Sequence, residues 1–593
     1  MSNKVESLLD RITIKPPEAK ERKRREKPTV TVSPPEANLH FRSLGYNGDK
    51  FYFFTTAGKQ VRELSASKLS RETELFTLAP MDWWEREFAL DQGFSRQAVK
   101  MAANFLIQNC YQKGVFNADN KRGRGAWCDG ESIIVHAGDR LFIDNRETDL
   151  VIADTDAVYE CEPRIEITTD NPLTTDESKR VWDWAMSLNF EKQTHSVLLL
   201  GWLSCALAGG ALNWRPHIFL NGSKGCGKSS ILDTMLHLLG GFAIAAKGDT
   251  SAAGLRQVLQ NSALPVLFDE AESDSIRAQA KMDDVLSLMR HASANLEARV
   301  IKGSSGGQAS SYAVRSCFCL SAIRDPIKQA ADMSRITTLS LKNSNYQSSE
   351  KQRTVTQPLA DVICDKSFAS RFRARVFSRL PQLLESIQLF TDALKETFPD
   401  SRMRDQIGAL LGGMWVVIYD ELPTHEQMNY YIQNLHWSDQ HDIVESASDE
   451  QACLDAMLNT NVRVDGDEWR GDMSIGLLVE FVMSGGTSIG VPEKLRMTDA
   501  KRTLGMYGMK VEDQMIEGAL SVTGRLLVAN ANGMLQRKVM AVTSWPSGWN
   551  KLLIRLQGAE KINKTVKIGG TACRCIAVPL TDDNQANDVC YQF

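Results

Sequence analysis

Residues His217 to Ser230 read HIFLNGSKGCGKSS, and this stretch decides the fold. The run HIFLN is apolar and short enough for a single strand, and SSILDTMLHLL after the loop has the apolar spacing of a helix. Between them, Gly222 to Ser229 satisfies G-x-x-x-x-G-K-[ST] with no departure. A glycine-rich turn from strand to helix points successive backbone N–H groups at one spot in front of a helix N-terminus, which suits a phosphate chain. Gly222, Ser223, Lys224, Gly225, Cys226 and Gly227 are expected to form that cradle, with Lys228 on the β- and γ-phosphates and Ser230 beside the loop. Ser229 is expected to offer its hydroxyl to magnesium, and Cys226 to serve by its small size.

Some forty residues on, Leu264 to Glu272 read LPVLFDEAE, an apolar strand ending in two acids. Asp269 is the expected magnesium ligand, and Glu270 the group that polarises the attacking water. The strand is expected to lie beside the one that opens the loop, so that both motifs meet at adjacent tips. Glu297 to Ser316 (EARVIKGSSGGQASSYAVRS) then reads as two strands around a Gly/Ser tip. Lys302 next to that tip either grips a nucleic-acid backbone or simply keeps an exposed hairpin soluble. Cys317 to Ala322 (CFCLSA) is a further strand, placing Ser321 near the water that attacks the γ-phosphate. In ADMSRITTLSL, Arg335 stands just before a fifth strand, where a guanidinium can reach a neighbouring subunit's phosphates. Arg324 competes for that role. Arg404, in SRMRDQIGALLGG, is a candidate lid residue on bound nucleotide, with Arg402 a close rival.

Around this core the expected strands are His217–Asn221, Phe242–Lys247, Pro265–Phe268, Cys317–Ala322 and Ile336–Leu341. Interleaved with helices, they have the pattern of a parallel sheet covered on both faces. Helical periodicity dominates from Ser367 to Leu435. Upstream, FYFFTTAGKQVREL (Phe51 to Leu64) predicts a hairpin, Asp82 to Gln112 helices, and the alternating runs between Ala126 and Ile167 more strands. Asp154 and Asp156 end one of those runs, and an Asp-rich turn is preferred there to a pair of metal ligands. The organisation is read as a basic arm (1–38), a small α+β domain (39–168), the ATPase core (169–345), a helical lid (346–450) and a winged-helix-like α+β domain (451–593).

Composition bounds the rest. With 593 residues, 24% charged residues and a net charge of −4, the chain is ordinary for a globular protein, and its surface is not uniformly basic. Nucleic-acid binding therefore has to come from local patches or from a pore built by several subunits. Its twelve cysteines lack paired zinc-ligand spacing and read as reduced thiols. The N-terminal stretch lacks the pattern of a secretory signal, so a cytoplasmic location in a bacterial host is expected. His195 to Trp214 (HSVLLLGWLSCALAGGALNW) carries no Asp, Glu, Lys or Arg, yet its small residues and missing basic flanks favour a buried helix over a membrane span. The basic run Lys20 to Lys27 reads as a solvated tether.

The ordered set of phosphate loop, Asp269–Glu270 pair, hairpin, Ser321 and Arg335 resembles the AAA+ ATPases, over about residues 170–430. Within them it is similar to the superfamily 3 helicase type of phage, plasmid and satellite-element replication proteins. Asn117 to Asp144 is also similar to a region preceding the ATPase core in phage and prophage proteins. The resemblance implies a hexameric ring that uses ATP and magnesium to translocate on DNA. Two departures stand out: Ser321 occupies a position where many relatives have Asn, and no primase signature lies upstream. A replication initiator or loader that binds duplex without unwinding, and a host-defence ATPase, remain as alternatives.

Overall fold

The computed structural model describes residues 40–88, 94–151, 155, 157–271, 276–294, 300–303, 309–323, 325–327, 330–437, 449–515, 522–543 and 545–580. The basic arm, Asp154, Asp156 and Arg324 lie outside the described residues. The chain divides into two units, 1–123 with 129–164, and 124–128 with 165–593.

In the first unit, strands Phe41–Asn47, Lys50–Thr55 and Val61–Ser65 form an antiparallel meander. The expected hairpin is its second half, closed by Thr55 N–H on the Gln60 carbonyl at 3.1 Å. The middle strand is buried from Phe51 to Thr55 because helix Arg96–Lys113 contributes Val99, Ala102 and Leu106 to the same core. A second meander joins Ser132–His136, Leu141–Ile143 and Arg146–Thr148.

The second unit is built on a five-stranded parallel sheet: β1 (His217–Asn221), β2 (Ile244–Lys247), β3 (Val266–Asp269), β4 (Phe318–Ala322) and β5 (Ile336–Ser340). Their order across the sheet is β2-β3-β4-β1-β5. The expectation that β3 lies beside β1 is therefore corrected, because β4 runs between them, pairing Leu267 with Cys319 on one side and Ile218 with Cys319 on the other. The physical reason is burial: all five residues of β4 are buried, so this strand takes the centre, where both edges and both faces are covered.

Helix α1 (Gln193–Leu207) is buried along its length from Thr194 to Leu207. Its fifteen residues span roughly 22 Å, short of a hydrocarbon core of roughly 30 Å. Among the described residues no helix is long and apolar enough to cross a membrane. Its small residues serve close packing instead: a Cβ at Gly201 would stand 1.7 Å from the Leu410 carbonyl oxygen on the facing helix. Helix α2 (Lys228–Leu239) follows the phosphate loop, and α3 (Ser401–Ile418) is the helix that faces α1. Helices Lys366–Ser378, Leu380–Ala393 and His425–Asn434 complete the helical region.

Beyond it, helix Asp449–Leu458, a hairpin of Asn461–Asp465 with Arg470–Ser474, and helices Ile475–Met483 and Met497–Met506 lead into an antiparallel sheet. That sheet orders Met509–Met515, Val522–Ala529, Cys575–Leu580 and Glu560–Lys561. Its core includes Leu454, Val464, Leu478, Leu504, Leu526 and Val578.

Candidate functional site

All five sheet strands run parallel, so every strand that ends in a functional residue delivers it to one edge. β1 ends at Asn221 and the chain turns at once into the glycine loop. Gly225 and Gly227 have φ of 80° and 100°, left-handed values that glycine reaches without strain. Gly227 caps α2, so the helix begins on Lys228 with its first N–H groups facing the loop. Gly222 is held by space: a Cβ there would meet the Cys226 sulfur at 2.7 Å. Cys226 is buried beneath the loop, in keeping with a role set by size. Ser344, just past β5, donates to the Gly225 carbonyl at 2.8 Å and braces the loop from the side.

The Lys228 ammonium folds back onto the loop, donating to the carbonyls of Gly222 and Ser223, the latter at 3.0 Å. Among the described residues it has no carboxylate partner, so its full charge is available to an anion lying in the cradle. The next residue closes the distance to the acidic pair: Ser229 Oγ lies 3.5 Å from Asp269 Oδ2. Two strand spacings, roughly 10 Å, separate β1 from β3, and the start of α2 bridges them above β4. The other Asp269 oxygen, Oδ1, accepts the Glu270 N–H at 3.0 Å. Glu270 is exposed and has φ 56°. A non-glycine residue adopts such a left-handed backbone at a cost of about 1–2 kcal/mol. Strain of this kind persists where neighbours fix the chain. Here the next N–H, of Ala271, donates to the Ser321 carbonyl at 2.9 Å and ties the acidic turn to the central strand.

Ser321 thus stands between the two motifs. It is fully buried, and its Oγ has no hydrogen-bond partner among the described residues. An unanswered buried hydroxyl costs roughly 1–3 kcal/mol, a state Ser321 shares with Ser204, Ser316 and Ser386; what sets Ser321 apart is its place between the two motifs.

These residues fit a nucleoside triphosphate with magnesium. A hydroxyl and a carboxylate converge as oxygen ligands suited to a hard cation, and an unpaired ammonium and a helix N-terminus flank a cradle of backbone N–H groups. Among the described residues no group of three or more His, Cys, Asp or Glu is placed to hold a metal, so a cation here would draw the rest of its oxygen ligands from phosphate and water.

The remaining candidates sit elsewhere. Arg335 precedes β5, whose first residue pairs with His217 at the start of β1. It is therefore at the opposite edge of the sheet, about five residues or ~16 Å from the phosphate loop of its own chain. There its guanidinium donates to the Ala331 carbonyl, and burial, with Arg402 nearby, lowers its pKa. Arg404 donates to the carbonyls of Phe398 and Pro399 at 2.9 and 2.7 Å. Two residues on, Gln406 donates to the His217 carbonyl, so Arg404 also belongs to the far edge and is not brought to the loop of its own chain. Lys302 pairs in register with Ser310 in the hairpin of Val300–Gly303 with Ala309–Tyr312, whose tip at 304–308 lies outside the described residues.

Two structural residues escaped the sequence reading. Gln406 joins three elements by donating to the His217 carbonyl at 2.7 Å and to Thr337 Oγ1 at 3.0 Å while accepting from the Trp214 indole at 3.0 Å. His217 accepts the Phe318 N–H at Nδ1 (3.1 Å) and places Nε2 2.9 Å from the Met289 carbonyl, which makes it a neutral imidazole. Burial, helped by Arg215 and Arg335 nearby, pushes its pKa down to about 3.

No protein-family model and no curated protein sequence matches the chain. Among solved structures it is similar to one titled as the active helicase Cch of SCCmec type IV, at 9% identity and a TM-score of 0.44, over 89% of this chain and 90% of that one. It is also similar to two apo structures of the NrS-1 C-terminal region. Their identities are 8% and 10% and their TM-scores 0.28 and 0.29, over 74% and 76% of this chain and 96% and 99% of theirs. At such scores the functional reading rests on the geometry of the site itself.

Proposed function

We propose that the chain is an ATP-dependent DNA helicase or translocase that works as an oligomeric ring in replication of a phage or other mobile element. The observation that carries the ATPase reading is the approach of Ser229 to Asp269 beside Lys228 and Glu270 at one sheet edge. Bound magnesium would supply charge neutralisation on the phosphate oxygens. Lys228 holds the phosphates, Ser229 and Asp269 hold the cation, and Glu270 orients the water while Ser321 faces it from the central strand. The ring is proposed to use Arg335: ~16 Å from its own loop, it acts in this reading on a neighbour's phosphates. The paired strands around Lys302 give the ring an element to grip a phosphate backbone.

A forked-duplex displacement assay tests this reading. ATP-dependent unwinding that is lost in Lys302→Ala, with basal ATP turnover retained, is the expected result. Specific duplex binding without unwinding would replace it by the initiator or loader reading. The order of helices and antiparallel strands between 449 and 529 resembles that of a winged-helix domain and supports that second reading.

A further inference from the structure

The C-terminal part of the chain holds a concentration of charge that the proposed ATPase site does not use. Between Asn530 and Leu580 there are eight Lys or Arg and a single acid, Glu560, in a chain whose net charge is −4. That one acid is already taken: Glu560 accepts from Arg525 at 2.7 Å. Three of the eight, Lys551, Lys561 and Arg574, line a cavity of about 510 Å³ together with Asn550 and Asn563 among others.

The fold assembles this cavity from four separate segments. Arg574 immediately precedes strand Cys575–Leu580, which Cys575 opens. The Arg574 carbonyl accepts the Asn530 N–H at 2.9 Å on one side, and the Cys575 carbonyl accepts the Ile562 N–H at 3.0 Å on the other. Helix Trp549–Leu553 brings Lys551 to the same place. Lys551, Lys561 and Arg574 are exposed and have no acidic partner among the described residues. Three like charges around one concavity repel one another, and a polyanion relieves that repulsion and releases its counterions as it binds. The asparagine amides add donors that hydrogen-bond phosphate oxygens without reading sequence. A concave site with three cations and neutral amides suits a bent, flexible backbone better than a flat protein face.

We propose that this cavity is a second nucleic-acid site, which holds the phosphate backbone of a single strand on Lys551, Lys561 and Arg574 independently of ATP. The proposal rests on the nucleic-acid part of the reading above, and its three cations belong to segments other than the Lys302 hairpin and the helix Met497–Met506.

The test is fluorescence anisotropy of a labelled single-stranded oligonucleotide with the full-length chain and no nucleotide added. The double variant Lys551→Glu/Lys561→Glu is expected to bind at least about tenfold more weakly, and to flatten the salt dependence by roughly 0.7 for each phosphate no longer neutralised. The conservative pair Lys551→Arg/Lys561→Arg keeps affinity near wild type, and basal ATP turnover stays unchanged in both, which separates weakened binding from misfolding. Wild-type affinity in the Glu pair overturns the proposal. So does an equal loss in Lys501→Glu, which would move the site to the helix Met497–Met506. Displacement of the oligonucleotide by equimolar inorganic pyrophosphate would assign the cavity to a free polyphosphate and likewise overturn it. Because no ATP is present, failure of the unwinding assay leaves this measurement standing. A wild-type chain that turns over ATP yet binds no oligonucleotide removes both readings.

Discussion

The two edges of the five-stranded sheet are made from the same strands and treated in opposite ways. At the edge where the strands begin, two buried polar side chains tie elements together: His217 is bonded at both ring nitrogens, and Gln406 satisfies three partners from three elements. At the edge where they end, polar groups are exposed or left open. Lys228 rests on loop carbonyls, Glu270 stands in a strained turn and Ser321 Oγ has no partner among the described residues. The first edge uses hydrogen bonds to fix the strands, and the second leaves hydrogen-bonding capacity that the proposed function assigns to a ligand. Stability and chemistry are thereby divided between opposite ends of one element, about 16 Å apart.

Substitutions should therefore separate the two quantities. The largest effect is expected from Lys228→Ala. Its amine touches only groups of the loop itself, two carbonyls and the Cys226 sulfur, so the melting temperature should hold, whereas ATP turnover should fall at least about 10²- to 10³-fold. Turnover near wild type would remove the loop from the chemistry. Gln406→Ala should do the reverse, leaving the His217 carbonyl, Thr337 hydroxyl and Trp214 indole unanswered. A loss of about 2–4 kcal/mol in denaturant unfolding is expected, with near-normal turnover per folded molecule at low temperature.

A pH series reads the same edge more finely. Since His217 is held near pKa 3 in the fold against an ordinary value of about 6.5, the unfolded chain takes up a proton that the folded chain refuses. Stability should fall as pH drops through the window from about 6.5 towards 3, by on the order of 1 kcal/mol per pH unit, and His217→Gln should flatten that slope. Ser321→Ala gives the smallest loss: turnover lowered roughly tenfold, with unfolding stability kept or raised by up to about 1–3 kcal/mol, because the exchange removes a buried hydroxyl that no partner answers. Unchanged turnover would take Ser321 out of the site.

What could be read in advance followed from how local each signal was. β1 was legible to the residue because an apolar run stops at Gly222, and strand, loop and helix all lie within about twenty residues. The order of the strands was not, since nothing in VLFD says whether its neighbour is HIFLN or FCLSA. Only the complete burial of FCLSA, a property of the assembled helices, puts it in the middle. Gln406 was hidden for a similar reason, being one amide in the apolar run of α3 whose partners lie 69 to 192 residues away. Ser344 carries no local signal, since its partner Gly225 lies 119 residues away in the chain. Arg404 was assigned by residue type alone, and the direction of α3 carries it to the far edge.

The left-handed backbone at Glu270 sets a trap for anyone improving this protein by heat selection. Glycine at 270 would relax the turn and offset its own added chain entropy, so a library sorted for thermal survival would tolerate or enrich it. The same exchange deletes the carboxylate that the proposed reaction needs, so the sturdiest survivors would include inert ones. Selection here has to weigh catalysis and endurance together, because at this position they are set against each other in a single side chain.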